Sequence, residues 1–311
     1  MKDVEYAYAV AYIKTLENKM LTYADIQSLI AADTGAAARD ILRNRGWEGS
    51  TNELLLKNEL EASWKIAYEV CPPDAPIDIL LFENDFHNMK TVFKAKAAGA
   101  DWRNMILKPS VVEPEVFEEA IRNGDFSALP PFIRGASEQT YHILTTTMDG
   151  QLAEIYADKC AVIAVLDRAK EEKNEFLIGW AELVRDIVNM KTAWRALATG
   201  KSKQFIENAL IPSPSSERLI RALQEQEIKD AITPLYRDAD VSSIGAFERW
   251  CDNKKIEYVK RAKAGSFGFL PIFAFLVGKS YEIQTVRIIL SCKENGVSDT
   301  VIRERLRDMY V

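Results

Sequence analysis

Two stretches of the chain, DFHNMKTVFKAKAAG at residues 85 to 99 and DIVNMKTAWRALATG at residues 186 to 200, agree at 8 of 15 positions without a gap, at an offset of 101 residues. A chain that repeats itself at this distance is built from copies of one unit, and every copy must offer its neighbours a compatible face. A third and weaker relative, EIQTVRIILSCKENG from Glu282, aligns so that Met89 meets Ile283, Thr91 meets Thr285 and Val92 meets Val286. In the first two copies the apolar residues fall at 86, 89 and 92/93 and at 187, 190 and 193/194, which is a helical period, and a glycine follows as a helix C-cap.

That glycine settles the meaning of Gly200-Lys201-Ser202. A phosphate loop needs a glycine five residues ahead of its Gly-Lys pair, and Arg195 stands there. The second Gly-Lys-Ser, from Gly278, has Phe273 at the same place. Neither reads as a nucleotide site, and Gly200 reads as a helix stop.

The punctuation repeats too. LKPSVVEP at 107 to 114 and IPSPSS at 211 to 216 are Pro/Ser-rich breaks about a hundred residues apart. ADIQSLIAA from Ala24, PEVFEEAIRNG from Pro114 and SERLIRALQ from Ser216 each read as a short helix that opens a unit, with acidic, Ser or Pro residues in the first turn. The opening residues also have helical spacing, with Tyr6, Val10, Ile13, Leu16 and Met20 on one face, as do the segments 53–70, 149–174 and 246–264. Alternating strand patterns are scarce. The expectation is an all-α protein of three similar helical units, residues 1–108, 109–212 and 213–311. The period is too long for short solenoid repeats, which favours a pseudo-threefold funnel around a hollow.

Composition narrows function mainly by exclusion. The 311 residues carry a formal charge of −6, which gives no basic footprint for nucleic acid. Cys71, Cys160, Cys251 and Cys292 form no C-x-x-C pair and read as free thiols in a reducing cytosol, and the N-terminus shows no signal-peptide pattern. The most apolar run, Phe267 to Val277, has 11 residues where a membrane span needs roughly 20. The only histidines, His87 and His142, join no metal motif, and His87 is replaced by Val188 in the second copy. No nucleophile elbow, dinucleotide fingerprint or aspartate-rich metal motif is present, so no catalytic residue, metal or cofactor is expected. Glu171-Glu172 and Asp238 with Asp240 read as solvated charge runs. Asn88 and Asn189 recur at one helical phase and read as buried side chains bonded to a neighbouring helix or backbone. Phe267, Phe269, Phe273 and Phe275 read as core, with a contact surface as the alternative.

Four separated segments then resemble one family. YAYAVAYIKTLENKMLTYADIQSLI, ENDFHNMKTVFKAKAAG, LPIFAFLVGKSYEIQTVRIILSCKENG and the ending IRERLRDMYV, in that order and spread nearly end to end, are similar to the C subunit of the V/A-type ATP synthases, whose counterpart in eukaryotic V-ATPases is the d subunit. The family pattern E-P-L-x-A-Y-L followed by K-E-x-E-x-x-N-x-R appears here from Leu270 and from Lys279. Glu282 and Arg287 match it, while Leu270, Ser280 and Thr285 depart from its acidic, acidic and Asn positions.

The resemblance implies a non-catalytic rotor subunit that joins the central stalk to the membrane proteolipid ring and transmits torque for proton or sodium transport. Its partners would be those components, and it would lie peripherally at the cytoplasmic face of the membrane with no span of its own. Asn88, Thr91, Asn189, Thr192, Glu282 and Arg287 are the repeat positions that this reading makes structural. Partner contacts are expected at one polar or Gly-containing break per unit, 47–52, 134–139 and 263–269, with Trp47, Arg134, Lys263, Phe267 and Phe269 as candidates. The competing class is a free-standing helical scaffold that uses the same hollow for another partner. An enzyme ranks third, because no motif in the sequence supplies it an acid or base.

Overall fold

The structure, a computed structural model, describes residues 5–225, 232, 233 and 235–311. The first four residues of the expected N-terminal helix and residues 226–231 and 234 of the expected third unit lie outside them. Among the described residues there is no strand. The α-helices are α1 (Ala7–Glu17), α2 (Tyr23–Ala31), α3 (Gly35–Asn44), α4 (Asn52–Val70), α5 (Phe82–Ala97), α6 (Pro114–Asn123), α7 (Pro131–Thr147), α8 (Gly150–Glu171), α9 (Glu175–Ala198), α10 (Lys203–Ala209), α11 (Pro214–Glu225), α12 (Ile244–Lys263), α13 (Leu270–Glu294) and α14 (Asp299–Arg305).

Local chemistry starts and stops these helices. Thr22 and Asp25 form a capping box at α2, and Thr51, Asp149 and Asn174 accept the third backbone N–H of α4, α8 and α9. Pro114 and Pro131 open α6 and α7, where a missing N–H costs nothing. The repeat helices α5, α9 and α13 all end in the same way. Gly99, Gly200 and Gly296 take φ of 65°, 66° and 64°, and the residues after them donate back to Ala95, Ala196 and Cys292 at 2.8, 2.9 and 2.9 Å. This is a Schellman motif in triplicate, and the positive φ is what calls for glycine.

The helices pack as two compact units, Met1–Ile77 with Gly245–Val311, and Asp78–Ile244. These bounds do not follow the expected divisions 1–108, 109–212 and 213–311. The reason lies in how the repeat helices pack. α5 lies against α6, and α9 against α11, so each repeat helix is covered by the segment that follows it in sequence. α13 packs on α14, which follows it, and also on α1, α3 and α4 from the beginning of the chain.

In the first unit, α13 is buried on every side from Pro271 to Lys279, as befits a core helix rather than an amphipathic one. Phe273 and Phe275 belong to that core. Gly278 supplies close approach: a Cβ there would overlap the ring of Tyr310, whose hydroxyl donates to Glu17 Oε1 at 2.7 Å. In the second unit, Phe82, Phe86, Met89, Phe93, Phe117 and Ile133 anchor a core shared by α5, α6, α7 and α8, with Phe82 and Phe132 stacked at 3.9 Å. α7 occupies a stretch read as a break around Arg134 to Gln139. Gly135 costs that helix about 1 kcal/mol, and the buried face of Ile133, Ser137, Thr140 and Leu144 outweighs it.

Candidate functional site: a clamp repeated three times

The three repeat helices each place one polar side chain at the same position, and each such side chain grips the start of another segment. On α5, Asn88 accepts the N–H of Leu107 through Oδ1 at 2.8 Å and donates to the carbonyl of the same residue through Nδ2 at 2.9 Å. On α9, Asn189 makes the identical pair of bonds to Ile211, at 2.8 and 2.9 Å. On α13, the aligned residue is Glu282, whose Oε1 accepts the N–H of Leu21 at 2.8 Å. Leu107, Ile211 and Leu21 stand shortly before α6, α11 and α2, the helices that open each expected unit. All three clamping residues are buried, with exposures of 0%, 0% and 1%. The third clamp thus reaches from the end of the chain back to its beginning.

Three residues ahead of each clamp sits a second position that varies more. Asp85 accepts the N–H of Val112 at 2.8 Å. Asp186 accepts the Ser215 hydroxyl at 2.7 Å and pairs with Arg185. In the third copy the position holds Lys279, whose Nζ pairs with Glu59 of α4 and lies 3.1 Å from Glu282 Oε2 and 5.0 Å from the centre of the Trp47 ring. Burial pushes the Asp85 carboxyl up to about 7, against the backbone N–H bonds of Val112 and Val111 that favour its ionised form, and Asp78 adds to the rise. Burial also raises Glu282, opposed by Lys279 and the Leu21 N–H.

The other repeat positions are less alike. Thr285 is buried, Thr91 and Thr192 are half-buried, and Arg287 is exposed. On the far side of α5, Lys90 and Lys94 pair with Asp158 and Glu154 of α8. Such exposed pairs contribute roughly 0–1 kcal/mol each and fix register more than stability.

The expected partner contacts fare unevenly. Trp47 is 3% exposed and packs in the core of the first unit with Leu42 and Leu55, so its ring offers no outer face. The break at 47–52 reads as a contact because it is polar and Gly-containing, but the Trp47 ring fills core beside Lys279. Arg134 is exposed on α7, where its Nε donates to the Leu129 carbonyl at 2.9 Å. Lys263 is half-buried over the Tyr310 ring, and its carbonyl accepts from Lys14. Phe267, a contact candidate that also belongs to the aromatic run read as core, is 63% exposed in the turn before α13, and Phe269 is half-buried with its ring 6.4 Å from that of Tyr6. His87 makes a 3.2 Å contact with the Met105 carbonyl, and His142 is exposed. Among the described residues no three His, Cys, Asp or Glu groups gather to hold a metal ion, and no helix is long and apolar enough to cross a membrane.

The arrangement is therefore one that holds segments in place: three buried polar grips, set in packed helices and flanked by ion pairs. Residues 9–305 match the family model described as ATP synthase (C/AC39) subunit, and the chain belongs to that family. Within it, the chain is 19% identical over 332 residues to the C subunit of the V-type sodium ATPase of Enterococcus hirae, covering 99% of both chains. It is 22% identical to the C subunit of the A-type ATP synthase of Methanosarcina acetivorans, over 97% of this chain and 92% of that one. It is 20% identical to the C subunit of the V-type ATP synthase of Thermus thermophilus, over 74% and 73%.

Proposed function

We propose that this chain is a non-catalytic rotor subunit of a V/A-type ATP synthase or ATPase, joining the central stalk to the membrane proteolipid ring and transmitting torque for proton or sodium transport. The observation that carries the reading is the clamp at Asn88, Asn189 and Glu282, three grips at aligned positions in a chain that its relatives, named as C subunits, match over nearly its whole length. A part that passes torque must not shear, and buried polar grips at each unit junction resist the sliding of one helical segment past the next. The three units, 1–108, 109–212 and 213–311, form a pseudo-threefold funnel in this reading, and the stalk enters its hollow. The protein lies peripherally at the cytoplasmic face of the membrane, held there through the ring. Arg134, Lys263, Phe267 and Phe269 are its proposed contact positions.

Affinity purification of the tagged chain from host membranes in mild detergent, with the co-purifying proteins identified by mass spectrometry, tests the assembly. Recovery of a proteolipid, stalk components and the catalytic head supports the reading. Recovery of the chain by itself, with none on membranes, favours a free-standing helical scaffold instead.

A further inference from the structure

The third clamp differs from the other two in one chemical respect. Asn88 and Asn189 each accept from and donate to a single backbone residue, whereas an ionised carboxylate has no proton to donate. Glu282 receives the Leu21 N–H through one oxygen, and its other oxygen, Oε2, is buried and ion-paired with Lys279 at 3.1 Å, with no further hydrogen bond. We propose that Glu282 is a proton-operated clamp. When its carboxyl is protonated the O–H takes over the part the amide plays in Asn88 and Asn189, and the N-terminal segment is gripped at Leu21 by two bonds instead of one.

The charge balance of the cluster favours this. One cation, Lys279, serves two carboxylates, Glu59 and Glu282, and Glu59 is the closer partner. A proton on Glu282 leaves a neutral cluster in which Lys279 belongs to Glu59. The other charged groups that neighbouring helices bring to this region already have partners. Glu17 of α1 is bonded to Tyr310 and Lys14, Asp25 of α2 to Thr22 and Arg45, Arg39 of α3 to Asn52 and Glu294, and Arg303 of α14 to Gln27. Burial raises the Glu282 carboxyl, in the direction the switch requires.

The sign is fixed by linkage. A carboxyl whose folded pKa lies above its unfolded value binds its proton more tightly when folded, so docking of the N-terminal segment weakens as pH rises through that interval. The test is hydrogen exchange at the Leu21 amide in the full chain, corrected for intrinsic rates, from pH 4.5 to 8. It is run in an Asp85→Asn background so that the second raised carboxyl does not contribute. Protection of Leu21 is expected to fall with rising pH, about tenfold for each unit by which the folded pKa exceeds the unfolded one. Glu282→Gln, which carries donor and acceptor at every pH, is expected to hold the low-pH protection throughout. The same pH slope in Glu282→Gln as in its parent overturns the proposal. Should that variant fail to fold, the carboxyl ¹³C titration of Glu282 in the unaltered chain decides the question. A midpoint above the ordinary ~4.3, with the Leu21 amide shift moving in step, supports the switch; a midpoint at or below it overturns the switch.

Discussion

Replacing Asn189 with Ala removes both bonds of the second clamp and leaves the N–H and C=O of Ile211 without partners. Asn189 has no exposed surface and Ile211 is 2% exposed, so the two orphaned groups sit away from bulk water. Each buried unsatisfied group costs about 1–3 kcal/mol, which puts the loss at about 3–5 kcal/mol once the missing side-chain volume is included. Urea unfolding followed by tryptophan fluorescence measures the total, provided the slope of the transition stays constant. Exchange at the Ile211 amide reports whether the loss arises at the clamp. Asn189→Asp sharpens the test, because it keeps the acceptor, loses the donor and adds a buried charge with no lysine at the position of Lys279. It should be at least as damaging as Ala at pH 8 and recover as pH falls. A loss below about 1 kcal/mol for Asn189→Ala, with Ile211 protection unchanged, would refute the idea that this residue holds the junction.

Other consequences are cheaper to check. Gly278→Ala should displace the Tyr310 ring and cost about 1–3 kcal/mol by overpacking, and the cost should shrink in a Tyr310→Ala background when both melts are compared. Gly200→Ala, at φ of 66°, should destabilise by about 1 kcal/mol through the strained C-cap, with no change in the Asn189 clamp as seen by Ile211 exchange. Asp85, with its folded carboxyl pushed up to about 7, should make the chain lose stability as pH rises from the ordinary carboxylate range towards 7, and Asp85→Asn should flatten that part of a pH series of urea midpoints.

Much of the helical fold was legible because its signals are local. The Schellman glycines, the Pro/Ser breaks and the period of apolar residues depend on neighbours within a turn or two, and they placed α5, α8 and α12 within a few residues and the C-terminal end of α9, whose first half from Glu175 went unread. α7 was hidden because Gly135 and a run of polar residues resemble a break, and only the packing of Ile133 and Leu144 makes a helix there favourable. The clamp was half legible. Asn88 and Asn189 stood at one phase in two copies, and the alignment set Glu282 beside them, but nothing local said that their partners are Leu107, Ile211 and Leu21. Glu282 and Leu21 are separated by 261 residues, a distance at which only the folded chain reveals a hydrogen bond. Trp47, expected at a contact, is core, and Phe267, grouped with the core aromatics, is exposed, since exposure is set by which way a turn points and not by composition.

The most direct test of the rotor role is coupling. In membranes from a host lacking this chain, ATP hydrolysis and ion uptake into vesicles should be measured together, before and after the purified chain is added back. The account predicts hydrolysis without ion transport in its absence and recovery of transport on addition. Ion transport that stays coupled to hydrolysis in membranes lacking the chain would contradict it.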